Sequence, residues 1–208
     1  MEARKPTLIL VPGLMCDATS WGDVPSGLPE FDCVVIDHGM ADSIAQMAKQ
    51  VLEQAPQHFA LAGHSMGARV ALEVVRRAPE RVERVALLDT GQLPLPPGEA
   101  GEAEAAKRHA LLAIARAEGT RAMGVQWVQG MVQPARLPDR ELIESILQMF
   151  ERRTAETFAE MTMRFLGRPI SSARWAERSA DCTMASRITA PASSGQPLRA
   201  FSSIRAVS

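Results

Sequence analysis

An α/β architecture, a mostly parallel sheet with helices on both faces, is what this 208-residue sequence predicts, and three observations predict it. Short apolar runs that read as buried strands alternate with stretches of helical periodicity. Over the first ninety residues the order is strand, strand, helix, strand, helix, strand. A serine flanked by glycines stands where one of those strands gives way to a helix. Strands joined by helical crossovers pair in parallel and are covered on both faces, so they read as continuous apolar runs rather than alternating ones.

The elements follow in order. "TLILVPG" is a buried strand that stops at Pro12-Gly13, and "FDCVVIDHG" is a second that ends on Asp37-His38-Gly39. In "DSIAQMAKQVLEQA" the apolar residues Ile44, Met47, Ala48, Val51, Leu52 and Ala55 recur at three- and four-residue intervals. That is an amphipathic helix, with Asp42 or Ser43 as its cap. The short strand 59–62 leads into Gly63-His64-Ser65-Met66-Gly67, and 68–75 is a helix apolar nearly all round. After Pro79, "VERVALLDTG" supplies the fourth strand, ending at Asp89.

The glycines around Ser65 explain the junction. A strand that reverses sharply into a helix forces the residue at its apex into an unusual backbone conformation, and small neighbours at Gly63 and Gly67 give the turn room. The G-x-S-x-G pattern is that of a nucleophile elbow, which lifts a serine hydroxyl above the sheet at a helix N-terminus. There the helix dipole and free backbone N–H groups favour developing negative charge. An ordinary turn serine fits the same five residues.

Composition narrows the chemistry. With 46% hydrophobic residues there is enough apolar chain for one substantial core. The net charge of −1 gives no electrostatic case for nucleic acid or an acidic membrane. The apolar run near the N-terminus is too short for a signal peptide or a membrane span. Cys16, Cys33 and Cys182 are odd in number and show no paired spacing, so the expected compartment is the reducing cytoplasm. No phosphate-loop, dinucleotide or metal-ligand motif is present, and no cofactor is expected.

"LILVPGLMCDATSW", "CVVIDHG", "ALAGHSMGARVALEVVRRAPERV" and "VALLDTG", in this order and spacing, resemble the α/β-hydrolase fold family, in particular its small serine hydrolases. The resemblance covers the first ninety or so residues. It implies that the loop after the first strand, Pro12-Gly13 here where the family usually has His-Gly, forms part of an oxyanion hole. The backbone N–H of Leu14, or of its neighbour Met15, would then join that of Met66. A serine at the elbow argues against the dehalogenase and epoxide-hydrolase chemistries, which use a carboxylate nucleophile in this fold.

From Pro94 the character changes. "LPLPPGEAGE" reads as a linker with little regular structure. "AEAAKRHALLAIARAEG", a segment around 123–131, and "DRELIESILQMFERRTAETFAEMTMRFLG" then read as three helices. The last carries Leu142, Ile143, Ile146, Phe150, Phe158, Met161 and Phe165 on its apolar side. In the family an insertion here caps the active site, which would make some of these side chains pocket walls; core packing is the alternative for each. The domain reading is a hydrolase core over 1–167 with a helical cap at about 95–166, followed by a divergent, poorly ordered tail over 168–208.

The resemblance also predicts, after the cap, a strand ending near an acid and a second followed by Gly-His, because in this fold the triad runs Ser, acid, His. The tail contains no histidine. From Arg168 it is dominated by Ser, Ala, Arg and Pro, with Glu177 and Asp181 its only acids, as a shifted reading frame of a GC-rich gene would encode. The chain's four histidines are His38, His58, His64 and His109. His38 and His58 flank strands, His64 lies within the elbow, and His109 falls on a cap helix from which it could approach the site. Asp89 ends the strand after the elbow helix, where some members of the fold place the triad acid and where a strand-end or capping Asp would also sit.

Two functions follow. The first is a serine hydrolase acting on a small ester, thioester or related acyl or carbon–carbon substrate through Ser65. The second is a truncated or non-catalytic family member without the His and Asp of the triad. The expected partner is a small molecule, and an unpaired sheet edge at the strand ending at Asp89 could allow self-association.

Overall fold

The computed structural model describes residues 4–39, 41–90 and 98–166. Four parallel strands, β1 (Thr7–Val11), β2 (Asp32–Val35), β3 (Phe59–His64) and β4 (Val82–Leu88), form a sheet in the order β2-β1-β3-β4. The first strand in the chain is therefore a central one, and all five of its residues are buried. Alternation of side chains across the pleat divides it. Ile9 and Val11 face one apolar cluster, Leu8 and Leu10 the other, and β3 does the same with Phe59 and Leu61 against Ala60 and Ala62.

On the first face lie α1 (Ile44–Gln54) and α2 (Met66–Arg77). Ser43 caps α1, its hydroxyl accepting from the Gln46 N–H at 3.3 Å, and Met47, Ala48 and Val51 form its buried stripe. α2 buries Val70, Ala71 and Val74 completely. Burying a valine-sized side chain contributes about 1.5–3 kcal/mol, so α2 is held chiefly by this apolar face. The opposite face is covered by a 3-10 turn, Ala18–Trp21, and the segment after it, through Trp21, Leu28, Val24 and Phe31.

Four helices follow: α3 (Glu99–Glu118), α4 (Thr120–Met131), α5 (Arg140–Glu151) and α6 (Ala155–Leu166). Their shared core centres on Trp127, stacked on Phe150 with ring centroids 5.4 Å apart and edge-on to Phe158 at 5.2 Å. This core is continuous with the first face of the sheet through Leu112, Met123, Met149 and Phe158.

Two expectations are corrected here. The linker expected over 93–102 gives way to helix at Glu99, because Gly98 turns the chain at φ 78° and Glu99 and Glu102 place negative charge at the helix N-terminus. The single helix expected over 139–167 is two. α5 stops at Glu151, and Arg152 and Arg153 reach back to the sheet. Thr154 then starts α6, its hydroxyl accepting from the Thr157 N–H at 3.1 Å. The other strands and helices stand where the sequence places them. Part of the Pro-rich segment, the Phe165 side chain and everything from 167 on, including Cys182 and the tail's acids, lie outside the described residues.

Candidate active site

β3 ends at His64 and α2 begins at Met66, leaving Ser65 alone at the apex with φ 52° and ψ −115°. A non-glycine residue there is strained by roughly 1–3 kcal/mol and persists only where its surroundings over-determine it. They do so from three sides. The Ser65 N–H donates to the Leu88 carbonyl at 2.8 Å, and the Ser65 carbonyl accepts from the Ala68 N–H at 3.2 Å. The same carbonyl accepts from the Thr90 hydroxyl at 2.9 Å.

The flanking glycines are required by contact. A Cβ on Gly63 would stand 2.6 Å from the Ala68 nitrogen, and one on Gly67 would run into the carbonyls of Val11 and Pro12. The first turn of α2 is thus pressed against the end of β1. From there the chain passes over the elbow: a Cβ on Gly13 would lie 3.5 Å from the Ser65 Cβ and 3.3 Å from the His64 Nδ1. A tight turn follows, closed by the Cys16 N–H donating to the Gly13 carbonyl at 3.1 Å, with Met15 at φ 63°. Leu14 and Met15 are both buried. The structure therefore brings together Ser65, Gly63, Gly67, Met66 and the Gly13-Leu14 loop. The Met66 N–H belongs to the first turn of α2, whose donors have no intrahelical partner.

The Cys16 thiol is no rival nucleophile. Burial, reinforced by the neighbouring Asp17 carboxylate, pushes it up to about 11, and it donates to the Leu14 carbonyl at 3.4 Å.

The histidines do not converge on the serine. His58 and His109 are exposed, the first just before β3 begins, at the end of that strand away from Ser65. His38 is buried and paired through Nδ1 with Gln50 Oε1 at 3.2 Å, while the Gln50 amide donates to its carbonyl. Burial holds its imidazole below the ordinary histidine range. Burial lowers His64 too, against the pull of Asp89. Among the described residues no histidine hydrogen-bonds the Ser65 hydroxyl. Asp89 is exposed, one residue past β4, with φ 47°. It lies between Leu88 and Thr90, both of which bond the Ser65 backbone.

Sequence reasoning passed over Asp17, Asp37, Arg152 and Arg153. Burial alone would raise Asp17 and Asp37. The Arg152 guanidinium and Thr19 N–H hold the first below the usual carboxylate range, and the Gly39 N–H and Arg153 hold the second there. The available signal was a pair of arginines interrupting an amphipathic pattern.

The chain belongs to the alpha/beta hydrolase family, whose model matches residues 8–204, and is by that membership a hydrolase. The match runs past Gly167 into the tail. Among solved structures the fold is similar to a thermophilic esterase from Thermogutta terrifontis, at 25% identity and a TM-score of 0.64 over 81% of this chain and 67% of that one. It is also similar to the enol-lactonase from Burkholderia xenovorans LB400, at 21% identity and a TM-score of 0.66 over the same shares. A third similar structure comes from work on carboxylesterases of Nitrososphaera gargenis, at 14% identity and a TM-score of 0.68 over 88% of this chain and 71% of that one. No helix among the described residues is long and apolar enough to cross a membrane.

Proposed function

We propose that the protein is a serine hydrolase of small carboxylic esters, thioesters or related acyl or carbon–carbon substrates. The observation that carries this reading is the strained Ser65 elbow with the Gly13-Leu14 loop lying directly on it. Ser65 Oγ forms a bond to the substrate carbonyl carbon as its proton leaves to a base, and the carbonyl π electrons move onto oxygen. The N–H groups of Leu14 and Met66 hold that oxyanion. Collapse re-forms the carbonyl and expels the leaving group, which takes up a proton, and water then releases the acid from Ser65. Asp89 is the acid we assign to orient the base. The esterase and lactonase similarities support an acyl carbonyl as the reacting centre. The helices over 99–166 serve as the cap and line the substrate's apolar part, and the three cysteines favour the cytoplasm.

A specific observation favours the second reading, a member that keeps the elbow and binds a ligand without turning it over: no histidine meets the Ser65 hydroxyl among the described residues. A fluorophosphonate probe separates the two, since covalent capture mapped to Ser65 by mass spectrometry requires an activated hydroxyl. An unlabelled, folded protein removes the Ser65-nucleophile reading.

Self-association belongs to the same proposal. Among the described residues β4 has a strand neighbour only on its β3 side, and an unpaired edge offers its backbone groups to another chain. Sedimentation velocity at rising concentration is expected to show dimers or larger species; a monomer throughout, with a sharp cooperative melt, would remove this part of the proposal.

A further inference from the structure

We propose that Arg153 is a positioning residue for the oxyanion loop, acting from the break between α5 and α6. The loop 13–17 has its first end fixed by contact, with Gly13 against Ser65 and His64. Its middle is strained, because Met15 takes a positive φ in a position that usually asks for glycine. The Cys16 N–H and thiol close the turn locally onto the Gly13 and Leu14 carbonyls, and its far end is held from outside. That end is held by the two arginines. Arg153 Nη2 donates to the Cys16 carbonyl at 3.2 Å and to Asp37 Oδ1 at 2.7 Å. Its side chain is only 13% exposed. Asp37 is itself oriented by the Gly39 N–H at 2.9 Å. Arg152 Nε donates to Asp17 Oδ2 at 2.7 Å and Nη2 to Thr19 Oγ1 at 2.8 Å.

The two arginines differ in kind. Arg152 is half exposed and bonds only side chains, those of Asp17 and Thr19. Arg153 joins a backbone carbonyl of the loop to a carboxylate at the end of the neighbouring strand. Both bonds come from Nη2, whose two hydrogens keep fixed directions in the guanidinium plane, whereas those of an ammonium rotate. The Cys16 carbonyl lies in the Cys16–Asp17 peptide, so Arg153 anchors the residue whose N–H closes the turn onto the Gly13 carbonyl. That carbonyl shares one peptide plane with the Leu14 N–H, so holding the turn closed holds the direction of the donor. Loss of an oxyanion donor in a hydrolase costs on the order of 10²–10³ in kcat, and a loosened donor costs a part of that.

The catalytic half of this proposal rests on the Ser65 reading, and its test has two arms. In the first, amide exchange is followed by mass spectrometry on peptides spanning 9–21 and on those of β3 and α2. Arg153→Ala is expected to speed exchange over 13–17 by about tenfold more than it speeds exchange in β3, and Arg153→Lys to restore part of the protection. Unchanged exchange over 13–17, or a rise spread evenly over the molecule, overturns the proposal. In the second arm, p-nitrophenyl ester kinetics are expected to show kcat lowered about tenfold or more with KM nearly constant. A raised KM at constant kcat overturns it by making Arg153 a substrate-binding residue. If the parent protein turns over no ester, the small-ester part of the serine-hydrolase reading falls and the exchange arm alone decides the positioning of the loop.

Discussion

Ser65→Ala is expected to abolish covalent capture of a fluorophosphonate and to reduce ester hydrolysis to what an oxyanion hole and binding sustain alone, roughly 10³ to 10⁴ over water. In well-studied triads the loss of the serine costs about 10⁶ in kcat, so the fall is the largest effect on activity that one substitution here can have. The experiment reads chemistry rather than folding. Alanine at φ 52° is as strained as serine, and the bonds that hold the apex run through the Ser65 backbone. The melting temperature of the variant should stay close to that of the parent. If hydrolysis by the parent is slow and Ser65→Ala leaves it unchanged, both proteins lack an activated nucleophile and the non-catalytic reading stands.

Gly67→Ala is expected to have the largest effect on stability. The added methyl would be driven into the carbonyls of Val11 and Pro12. These are backbone atoms at the end of a fully buried central strand, so they cannot swing aside as a flexible side chain would. Overpacking costs typically 1–3 kcal/mol, and with backbone on both sides of the clash about 3 kcal/mol or more is expected. A urea melt checks this against Gly130→Ala. Gly130 is exposed in the last turn of α4 with nothing within 4 Å of its added Cβ, and there the helix propensity of alanine should add up to about 1 kcal/mol. Equal midpoints for Gly67→Ala and the parent would mean that the elbow is not built as described.

The sheet and the elbow were legible in the sequence because both are dictated locally. The apolar run 8–11, stopped by Pro12-Gly13, reads as a buried strand without help from distant residues, and the steric demand for Gly63 and Gly67 acts over five residues. The division of 139–167 into α5 and α6 was not legible. Leu142, Ile146, Phe150 and Phe158 continue one apolar face across Arg152 and Arg153, and the partners of those arginines just past α5, Asp17 and Asp37, lie more than a hundred positions away in the chain. Tertiary partners override a local pattern in the same way at Met15, where no propensity would place a left-handed methionine. The assignment of Leu14 and Met66 as donors came from the resemblance; what the geometry adds is the approach of Gly13 to Ser65. Asp89 was read from its position at a strand end, which fixes where its backbone goes but not what its carboxylate meets.

The same long-range contacts bear on the order in which the chain folds. Arg152 to Asp17 closes a separation of 135 residues, Arg153 to Cys16 one of 137 and Arg153 to Asp37 one of 116. The entropy of closing such loops must be met before the contact returns any energy, whereas β1, β3 and α2 lie within 70 positions of one another and can condense first. The arginine contacts are therefore expected to form on the native side of the folding barrier, so that weakening them acts on the way out. Arg153→Ala is expected to raise the unfolding rate in stopped-flow denaturant jumps while leaving the refolding rate nearly unchanged. Slower refolding at constant unfolding would place the helical segment in the nucleus instead. By this reasoning the protein's lifetime once folded is set partly where α5 meets the sheet, far along the chain from the strands that begin it.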